Sequence, residues 1–225
     1  MSYTFIDDLP GVSMPLSSPQ GLYAKGGKRL ADITVVLLIS PIALLIIMAV
    51  WVLTRIQGGS GFYCQPRVGR FGRTFRCWKI RTMGDDAESK LSDLIAKNPD
   101  IEREWSMTQK LLHDPRITSL GRILRATSID ELPQLWNVLI GDMSLFGPRP
   151  FMPAQKGLYD ENQQSAAYYR LRPGISGLWQ VSSRSKGAFT ARVDFDEKYA
   201  RNISLSGDLS LAFRTIVVVL RVTGK

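Results

Sequence analysis

Residues 33–53 read ITVVLLISPIALLIIMAVWVL, an unbroken run of 21 residues without a charged side chain. As a straight helix this run would extend ~31 Å at ~1.5 Å per residue, close to the ~30 Å hydrocarbon core of a bilayer. It follows polar sequence that contains Pro10, Pro15 and Pro19, and no small-residue cleavage site comes after it, which argues against a secretory signal. The run therefore predicts a membrane helix.

Two features distinguish this run from a simple membrane span. Pro41 lacks a backbone donor and clashes with the preceding turn, so we expect a bend there, where Ser40 can hydrogen-bond a freed carbonyl. Basic residues flank both ends of the run, so the positive-inside rule gives no direction. Two interpretations stay open. One is a kinked helix that crosses the membrane, and the other is a re-entrant helix–break–helix over residues 25–57 that bends at Ser40–Pro41 and returns.

The rest of the chain divides into an arm and one larger domain. Residues 1–24 show little periodicity and are predicted to be a mobile arm, whereas residues 58–225 can bury one substantial core. Within that domain, residues 61–83 are typical of short strands, and residues 85–112 of a helical pair that packs on a core. Residues 209–222 form an apolar helix or strand, placed in the core or at the membrane interface.

The composition limits the classes of function. The chain has 29 Lys and Arg against 20 Asp and Glu, a net charge of +9 that suits nucleic acid, anionic lipid or phosphorylated substrates alike. Cys64 and Cys77 form neither a disulfide framework nor a metal-ligand spacing. The single histidine, His113, cannot build a His-based triad or a multi-histidine metal site, and we expect it at the surface. Rossmann and P-loop motifs are absent from the sequence.

The segment Ser128-Ile129-Asp130-Glu131-Leu132-Pro133 places two adjacent carboxylates among arginines, which are Arg116, Arg122, Arg125 and Arg149. Arginine binds phosphate bidentately, and a carboxylate can hold a metal or attack a phosphoryl group. A structural interpretation competes, because Ser128 and Glu131 have the spacing of a helix capping box. Pro133 fits that poorly, since proline beyond the first turn costs a helix bond, so the helix starts later or is irregular.

Two further segments supply candidate phosphate ligands. Residues 61–83 hold six basic side chains and no acid, which indicates a solvated face, a patch for anionic lipid, or part of a site. Lys79 and Arg81 are the candidates for a site there, because alternate residues of a strand share a face. In Gly147-Pro148-Arg149-Pro150, the flanking prolines would hold Arg149 in place at little entropic cost.

Several ordered motifs over residues 28–222 resemble those of the bacterial sugar transferases, specifically the small monotopic phosphoglycosyl transferases. They are Lys28-Arg29 with Asp32, Ser40-Pro41, Lys79-Ile80-Arg81-Thr82-Met83, Asp114-Pro115-Arg116-Ile117-Thr118, residues 128–135, Gly141-Asp142-Met143-Ser144, residues 147–150 and 172–181, and Asp196 through Asp208-Leu209. Ser183 and Ser185 depart from the G-R-N that the family often has around the position of Arg184. Ile80 and Ile129 are milder replacements of Phe and Leu.

The resemblance implies a fold class and a location. The fold would be α/β, mainly helical and irregular: a monotopic membrane protein whose re-entrant helix breaks at Ser40 and Pro41, with a catalytic domain over residues 58–225. That domain would lie on the cytoplasmic face of the bacterial inner membrane, in contact with anionic lipids. A homo-oligomer stays open, and no nucleic acid partner is expected.

The resemblance also implies a reaction. A UDP-sugar gives its sugar-1-phosphate to undecaprenyl phosphate and UMP leaves, which initiates exopolysaccharide synthesis. Asp130 would be the nucleophile that forms a phosphosugar-aspartyl intermediate, and Glu131 would help to bind Mg²⁺. Basic family positions near the substrate phosphates match Lys79, Arg125, Arg149 and Arg184, and Arg81 joins them from its strand. The sugar would be galactose or glucose, although no residue separates these epimers and N-acetylated or deoxy sugars stay open.

Two rival interpretations stay open from the sequence. A membrane-anchored nucleic-acid or scaffold protein would explain the charge and the apolar run, but it gives no reason for Asp130 and Glu131 near Arg149, and no nucleic-acid-binding motif is present. Within the enzyme interpretation, the lipid phosphate could attack the donor directly in a ternary complex, with Asp130 only binding metal.

Overall fold

The computed structural model describes residues 21–56, 60–84, 86–108, 111–161, 166–182 and 189–220. Within these ranges the helices are α1 (Lys28–Ile56), α2 (Ala87–Lys97), α3 (Pro99–Thr108), α4 (Ser119–Thr127), α5 (Gln134–Ile140), α6 (Lys156–Asp160), α7 (Ala166–Arg170), α8 (Leu178–Ser182), α9 (Arg192–Arg201) and α10 (Leu205–Leu220). The strands are β1 (Phe62–Val68), β2 (Thr74–Ile80), β3 (Ser144–Phe146) and β4 (Gly174–Ser176). β1 pairs antiparallel with β2, and β3 pairs parallel with β4. The predicted mainly helical α/β fold with short strands is confirmed.

The apolar run of the sequence lies in α1. The helical segment Tyr23–Ile56, 34 residues long, is long and apolar enough to cross a membrane by length and composition. α1 is continuous through Pro41, and Ser40 Oγ donates a hydrogen bond to the carbonyl of Val36 at 2.6 Å, as the sequence predicts. The bend and the re-entrant course stay predictions. Residues 1–20 of the predicted arm lie outside the described residues.

One face of α1 packs along the rest of the protein. Its buried residues recur at helical spacing and form a single stripe, Asp32, Val36, Ala43, Val50 and Thr54. The first half of the stripe joins a core with residues of β2 and α5, and Val50 packs with Ile80 and Leu124 near its other end. The remaining faces of α1 expose large apolar side chains, Leu38 at 73% among them.

The N-terminal end of α1 is fastened by polar contacts. Asp32 is 4% exposed and accepts hydrogen bonds from Ser144 Oγ at 2.7 Å and from the Leu145 amide at 3.2 Å. Arg29 donates to the carbonyls of Val138 and Leu139, where α5 ends. Cations at a helix C-terminus neutralise its partial negative charge. These contacts fix the start of α1 against both α5 and β3.

The predicted strands in residues 61–83 are confirmed as the β1–β2 hairpin. β2 gains a side-chain partner beyond β1, because the buried Asn137 of α5 bonds its backbone. Asn137 Nδ2 donates to the carbonyl of Arg76 at 2.7 Å, and Asn137 Oδ1 accepts from the Trp78 amide at 3.1 Å. A buried amide used in this way satisfies backbone groups that would otherwise be costly to bury.

The helical pair predicted for residues 85–112 is confirmed in α2 and α3, but its packing on a core is wrong. No residue of α2 is buried, and its apolar side chains Leu91, Leu94 and Ile95 are half-buried where α2 contacts α3. Short helices rich in charge bury only a narrow stripe, which is why α2 contributes no fully buried residue. Trp105 of α3 contacts the guanidinium of Arg116 at 5.6 Å from the ring centroid.

Residues 209–222, for which a helix and a strand were both open, are helical as far as Leu220, where α10 ends. Asp208 and Leu211 are buried, whereas Leu209, Phe213 and Ile216 are exposed, Phe213 at 69%. α10 therefore packs on one side and presents an apolar face on the other. His113 is exposed, as predicted, and Cys64 and Cys77 are free thiols.

Candidate active site

The Asp130–Glu131 pair lies in a tight turn between α4 and α5. Ser128 ends α4 in the left-handed conformation with φ 59°, and Ile129–Glu131 form a single 3₁₀ turn. The Ser128 side chain makes no cap hydrogen bond to that turn, so the capping-box interpretation is wrong. α5 starts only after Pro133, which stands at its N-cap, in accordance with the expectation of a later or irregular start.

Glu131 faces two cations across the turn. Lys79 Nζ lies 2.6 Å from Glu131 Oε1, and a guanidinium nitrogen of Arg149 lies 3.6 Å from the same oxygen. Asp130 is 7% exposed. The structure therefore brings together four of the predicted site residues, one from β2, two from the turn and one from the Gly147–Pro150 loop.

The two carboxylates differ in their electrostatic setting. Burial raises the pKa of Asp130 to about 6, despite the opposing charges of Lys79 and Arg125. Burial also acts to raise the pKa of Glu131, but the charges of Lys79 and Arg149 outweigh it and lower that pKa to about 2. Because the two groups titrate as a pair, Glu131 stays ionised and Asp130 takes up the first proton.

Arg125 is a further cation whose charge acts on Asp130. Its Nε donates to Thr82 Oγ1 at 2.8 Å, which ties the end of α4 to the segment that follows β2. Burial lowers the pKa of Arg125, while the charge of Asp130 acts to raise it. Arg125 therefore supplies fixed positive charge on the Asp130 side of the pair.

Arg149 is held by a hydrogen-bonded double loop. The Gly147 amide donates to the carbonyl of Ser176 at 2.9 Å, and the Gly174 amide donates to the carbonyl of Pro148 at 2.8 Å. A Cβ at Gly147 would lie 2.5 Å from the carbonyl oxygen of Arg172, so only glycine fits this close approach. The loop after Arg172 thus acts as the support of the loop that carries Arg149.

Sequence reasoning missed Arg67 as a site residue. Arg67 lines the cleft with Lys79, Glu131 and Arg149, and its NH1 donates to the carbonyl of Pro150 at 3.2 Å. Burial lowers the pKa of Arg67, and the like charge of Arg149 lowers it further. The signal lies in strand register: Tyr63 is opposite Lys79, so Arg67, four residues along β1, shares the face of Lys79.

Arg81 and Arg184 are the two remaining predicted site residues, and their roles stay predictions. The guanidinium of Arg81 stands 5.6 Å from the ring centroid of Tyr63 on β1. Arg184 lies outside the described residues, together with Ser183 and Ser185, and its role stays a prediction.

The site suits a hard cation on the chemistry of its donors. Within the part of the chain that the structure describes, no group of three or more His, Cys, Asp or Glu gathers as a ready-made metal site. Mg²⁺ does not need one, since it binds one or two carboxylates and completes its octahedron with water and substrate phosphates. Asp130 and Glu131 therefore fit the predicted cation, which itself stays a prediction.

The sequence model of the family described as bacterial sugar transferase matches residues 23–222, a range that contains α1, the dyad turn and the Arg149 loop. The chain belongs to the bacterial sugar transferase family. This membership confirms the family prediction made from the motifs.

Three relatives show how the match extends. The chain is 41% identical over 215 residues to "Exopolysaccharide production protein ExoY" of Rhizobium meliloti, covering 96% of this chain and 92% of the relative. It is 42% identical over 197 residues to "Undecaprenyl-phosphate galactose phosphotransferase" of Salmonella typhimurium, with 88% and 41% covered. It is 44% identical over 168 residues to "UDP-galactose-lipid carrier transferase" of Erwinia amylovora, with 75% and 35% covered. The chain thus spans well under half the length of two of these sugar transferases.

Proposed function

We propose that this sugar transferase moves galactose-1-phosphate or glucose-1-phosphate from a UDP-sugar to undecaprenyl phosphate, releases UMP and initiates exopolysaccharide synthesis. The observation that carries the proposal is the buried Asp130–Glu131 pair ringed by Lys79, Arg149 and Arg125. Such a cluster suits a reaction in which a diphosphate is held by cations while a carboxylate attacks it. The names of the Salmonella typhimurium and Erwinia amylovora relatives support the acceptor and the galactosyl donor.

The reaction would proceed in two displacements at Asp130. In the first, an Asp130 carboxylate oxygen attacks the phosphorus that bears the sugar, the bridging P–O bond breaks, and UMP leaves with the bonding electrons. In the second, a phosphate oxygen of undecaprenyl phosphate attacks the same phosphorus, the aspartyl–phosphorus bond breaks, and the carboxylate is regenerated. Two steps allow a soluble donor and a lipid acceptor to use one site in turn.

The surrounding residues would bind and orient the diphosphate. Lys79, Arg149 and Arg67 line the cleft and can donate to phosphate oxygens, and Arg125 offsets the charge of Asp130. Mg²⁺, when bound, would be held by Glu131, which leaves Asp130 to act as the nucleophile, and it would neutralise the charge that develops on the phosphates. Arg184 and Arg81 are proposed as further phosphate ligands on the strength of the family motifs.

The packing of α1 supports a monotopic arrangement. Asp32 at one end of the helix bonds β3, and Val50 near the other end packs with Ile80 and Leu124 of the same domain. A helix whose buried stripe packs on one domain along its length keeps both of its ends beside that domain. This packing favours the re-entrant course over a crossing helix, and the bend at Ser40–Pro41 stays a prediction. The exposed apolar face of α10 would add contact with the interface of the inner membrane, on its cytoplasmic face.

The decisive test is UMP release from a panel of UDP-sugars, with Mg²⁺ and undecaprenyl phosphate present, by the detergent-solubilised protein. We expect release from one hexose donor by the parent and none from Asp130→Asn. Asp93→Asn is the matched control, since Asp93 is exposed on α2, away from the dyad turn. A scaffold or nucleic-acid-binding protein would release no UMP from any donor.

A second experiment separates two-step transfer from direct attack. Without the lipid acceptor, mass spectrometry of the digested protein should find a hexose phosphate adduct on the peptide that contains Asp130. No adduct under these conditions, in a protein that releases UMP once undecaprenyl phosphate is added, would favour direct attack by the lipid phosphate, with Asp130 limited to binding metal.

A further inference from the structure

The cleft around Asp130 and Glu131 carries more positive than negative charge. Four cations act on the two carboxylates, and they are Lys79, Arg125, Arg149 and Arg67. Nearby Arg116 is matched by its own carboxylate, since Asp114 Oδ2 lies 2.6 Å from it. Among the described residues, the cleft therefore holds two more cations than carboxylates. Like charges repel strongly in a partly buried site, so this surplus opposes the entry of a bare divalent cation.

Lys79 is the cation in direct contact with a metal-binding candidate. Its ammonium lies 2.6 Å from Glu131 Oε1, and the two side chains are only 20% and 18% exposed. An ammonium at this distance both occupies a ligand oxygen and adds repulsion toward a second cation. Lysine is a compact charge on a flexible stem, so it can move to a nearby phosphate without a backbone change.

We propose that the Lys79 ammonium keeps Glu131 from binding a metal ion as long as the cleft holds no nucleotide. When a nucleotide diphosphate enters, the ammonium turns to the diphosphate and leaves Glu131 open to the divalent cation. This inference rests on the proposed function, because it needs a diphosphate donor and a cation in one cleft. The diphosphate of a UDP-sugar carries one negative charge on each phosphate. These two charges cancel the surplus of positive charge in the cleft. Nucleotide and cation therefore bind cooperatively, each tightening the other by the same factor.

The test measures binding rather than turnover, with Mn²⁺ in place of Mg²⁺ and UDP in place of the donor. The electron paramagnetic resonance signal of free Mn²⁺ gives its affinity for the full chain in detergent, corrected for the Mn²⁺–UDP complex measured without protein. We expect UDP to tighten Mn²⁺ binding about tenfold or more, within the usual range of site–site coupling. Uridine, which has no phosphates, should leave Mn²⁺ affinity unchanged.

Lys79→Met removes the ammonium and keeps the length of the stem. Without nucleotide, this variant should bind Mn²⁺ about tenfold more tightly than the parent, and the effect of UDP should shrink to about threefold or less. Lys156→Met is the matched control, because it breaks an exposed ion pair to Asp160 of 2.8 Å outside the cleft and should keep the parental values.

The outcomes separate this inference from the function on which it rests. Equal Mn²⁺ affinity with and without UDP, in a parent protein that binds UDP, overturns the proposed blocking of Glu131 by Lys79 and leaves the transferase proposal standing. Unchanged Mn²⁺ affinity in folded Lys79→Met overturns the assignment to Lys79. If that variant does not fold, the UDP and uridine comparison in the parent still decides whether nucleotide and cation are coupled. Failure of the parent to bind either UDP or Mn²⁺ contradicts the proposed function as well.

Discussion

Gly147→Ala should impair catalysis by moving Arg149 while leaving the fold intact. The added Cβ would stand 2.5 Å from the carbonyl oxygen of Arg172 and 3.0 Å from the Gly174 amide nitrogen. Carbon–oxygen contacts in proteins begin at about 3.3 Å, so the loop has to retreat by roughly 0.8 Å. A misplacement of about 1 Å in a positioning group can cost ~100-fold, so we expect kcat/KM for UMP release to fall by about that factor, or ~2.7 kcal/mol.

The assay pairs steady-state UMP release with thermal unfolding in detergent. Gly157→Ala is the matched control, because a Cβ at Gly157 in α6 meets nothing within 4 Å. That control should keep the parental kcat/KM and gain about 0.5–1 kcal/mol of stability, since alanine favours helix over glycine. A folded Gly147→Ala protein with parental kcat/KM would refute the idea that the double loop positions Arg149.

Three shorter predictions concern charge and packing. Since the pKa of Asp130 is raised to about 6, the native state binds its proton more tightly than the unfolded chain. Stability therefore falls as pH rises from about 3.9, the pKa of an unfolded Asp, to that value, and above it the loss is complete. Asp130→Asn should then melt higher than the parent at pH 8 and close to it at pH 4, and an unchanged difference between the two pH values would contradict this. Arg67→Met should lower kcat/KM by about 10- to 100-fold by removing a charged phosphate donor, whereas the exposed Arg73→Met should not. Asn137→Ala should lower the free energy of unfolding by about 2–4 kcal/mol, because two backbone groups of β2 lose their partner, and denaturant unfolding measures this.

The sequence allowed the centre of the site to be predicted because its members are local or stand in recognisable motifs. Asp130 and Glu131 are adjacent, and the proline-flanked Arg149 and the strand residue Lys79 were singled out from their own segments. The structure brings these four together. Whether they act as nucleophile, metal ligand and phosphate ligands stays a prediction.

What could not be predicted depended on long-range pairing. Arg67 was one of six basic residues in a basic stretch, and only the register of β1 against β2 places it in the cleft beside Lys79. The capping-box interpretation of Ser128 is wrong because Ser128 ends α4 in the left-handed conformation, and the Ser–Glu spacing alone does not distinguish a helix start from a helix end. The prediction that α2 packs on a core is wrong for a related reason. An amphipathic pattern shows that a helix has an apolar face, but not which part of the protein covers that face.

The predicted membrane helix α1 and the dyad turn are parts of one packed unit. Ile129, the residue before Asp130, packs against the cluster formed by Val50 of α1, Ile80 of β2 and Leu124 of α4. The backbone that presents the proposed nucleophile is therefore one residue from a contact with the second half of α1. In the proposed reaction a lipid phosphate reaches Asp130 while its chains stay in the bilayer, so the distance between the membrane surface and the site has to be fixed. If α1 enters the bilayer as proposed, packing the dyad turn on α1 fixes that distance directly.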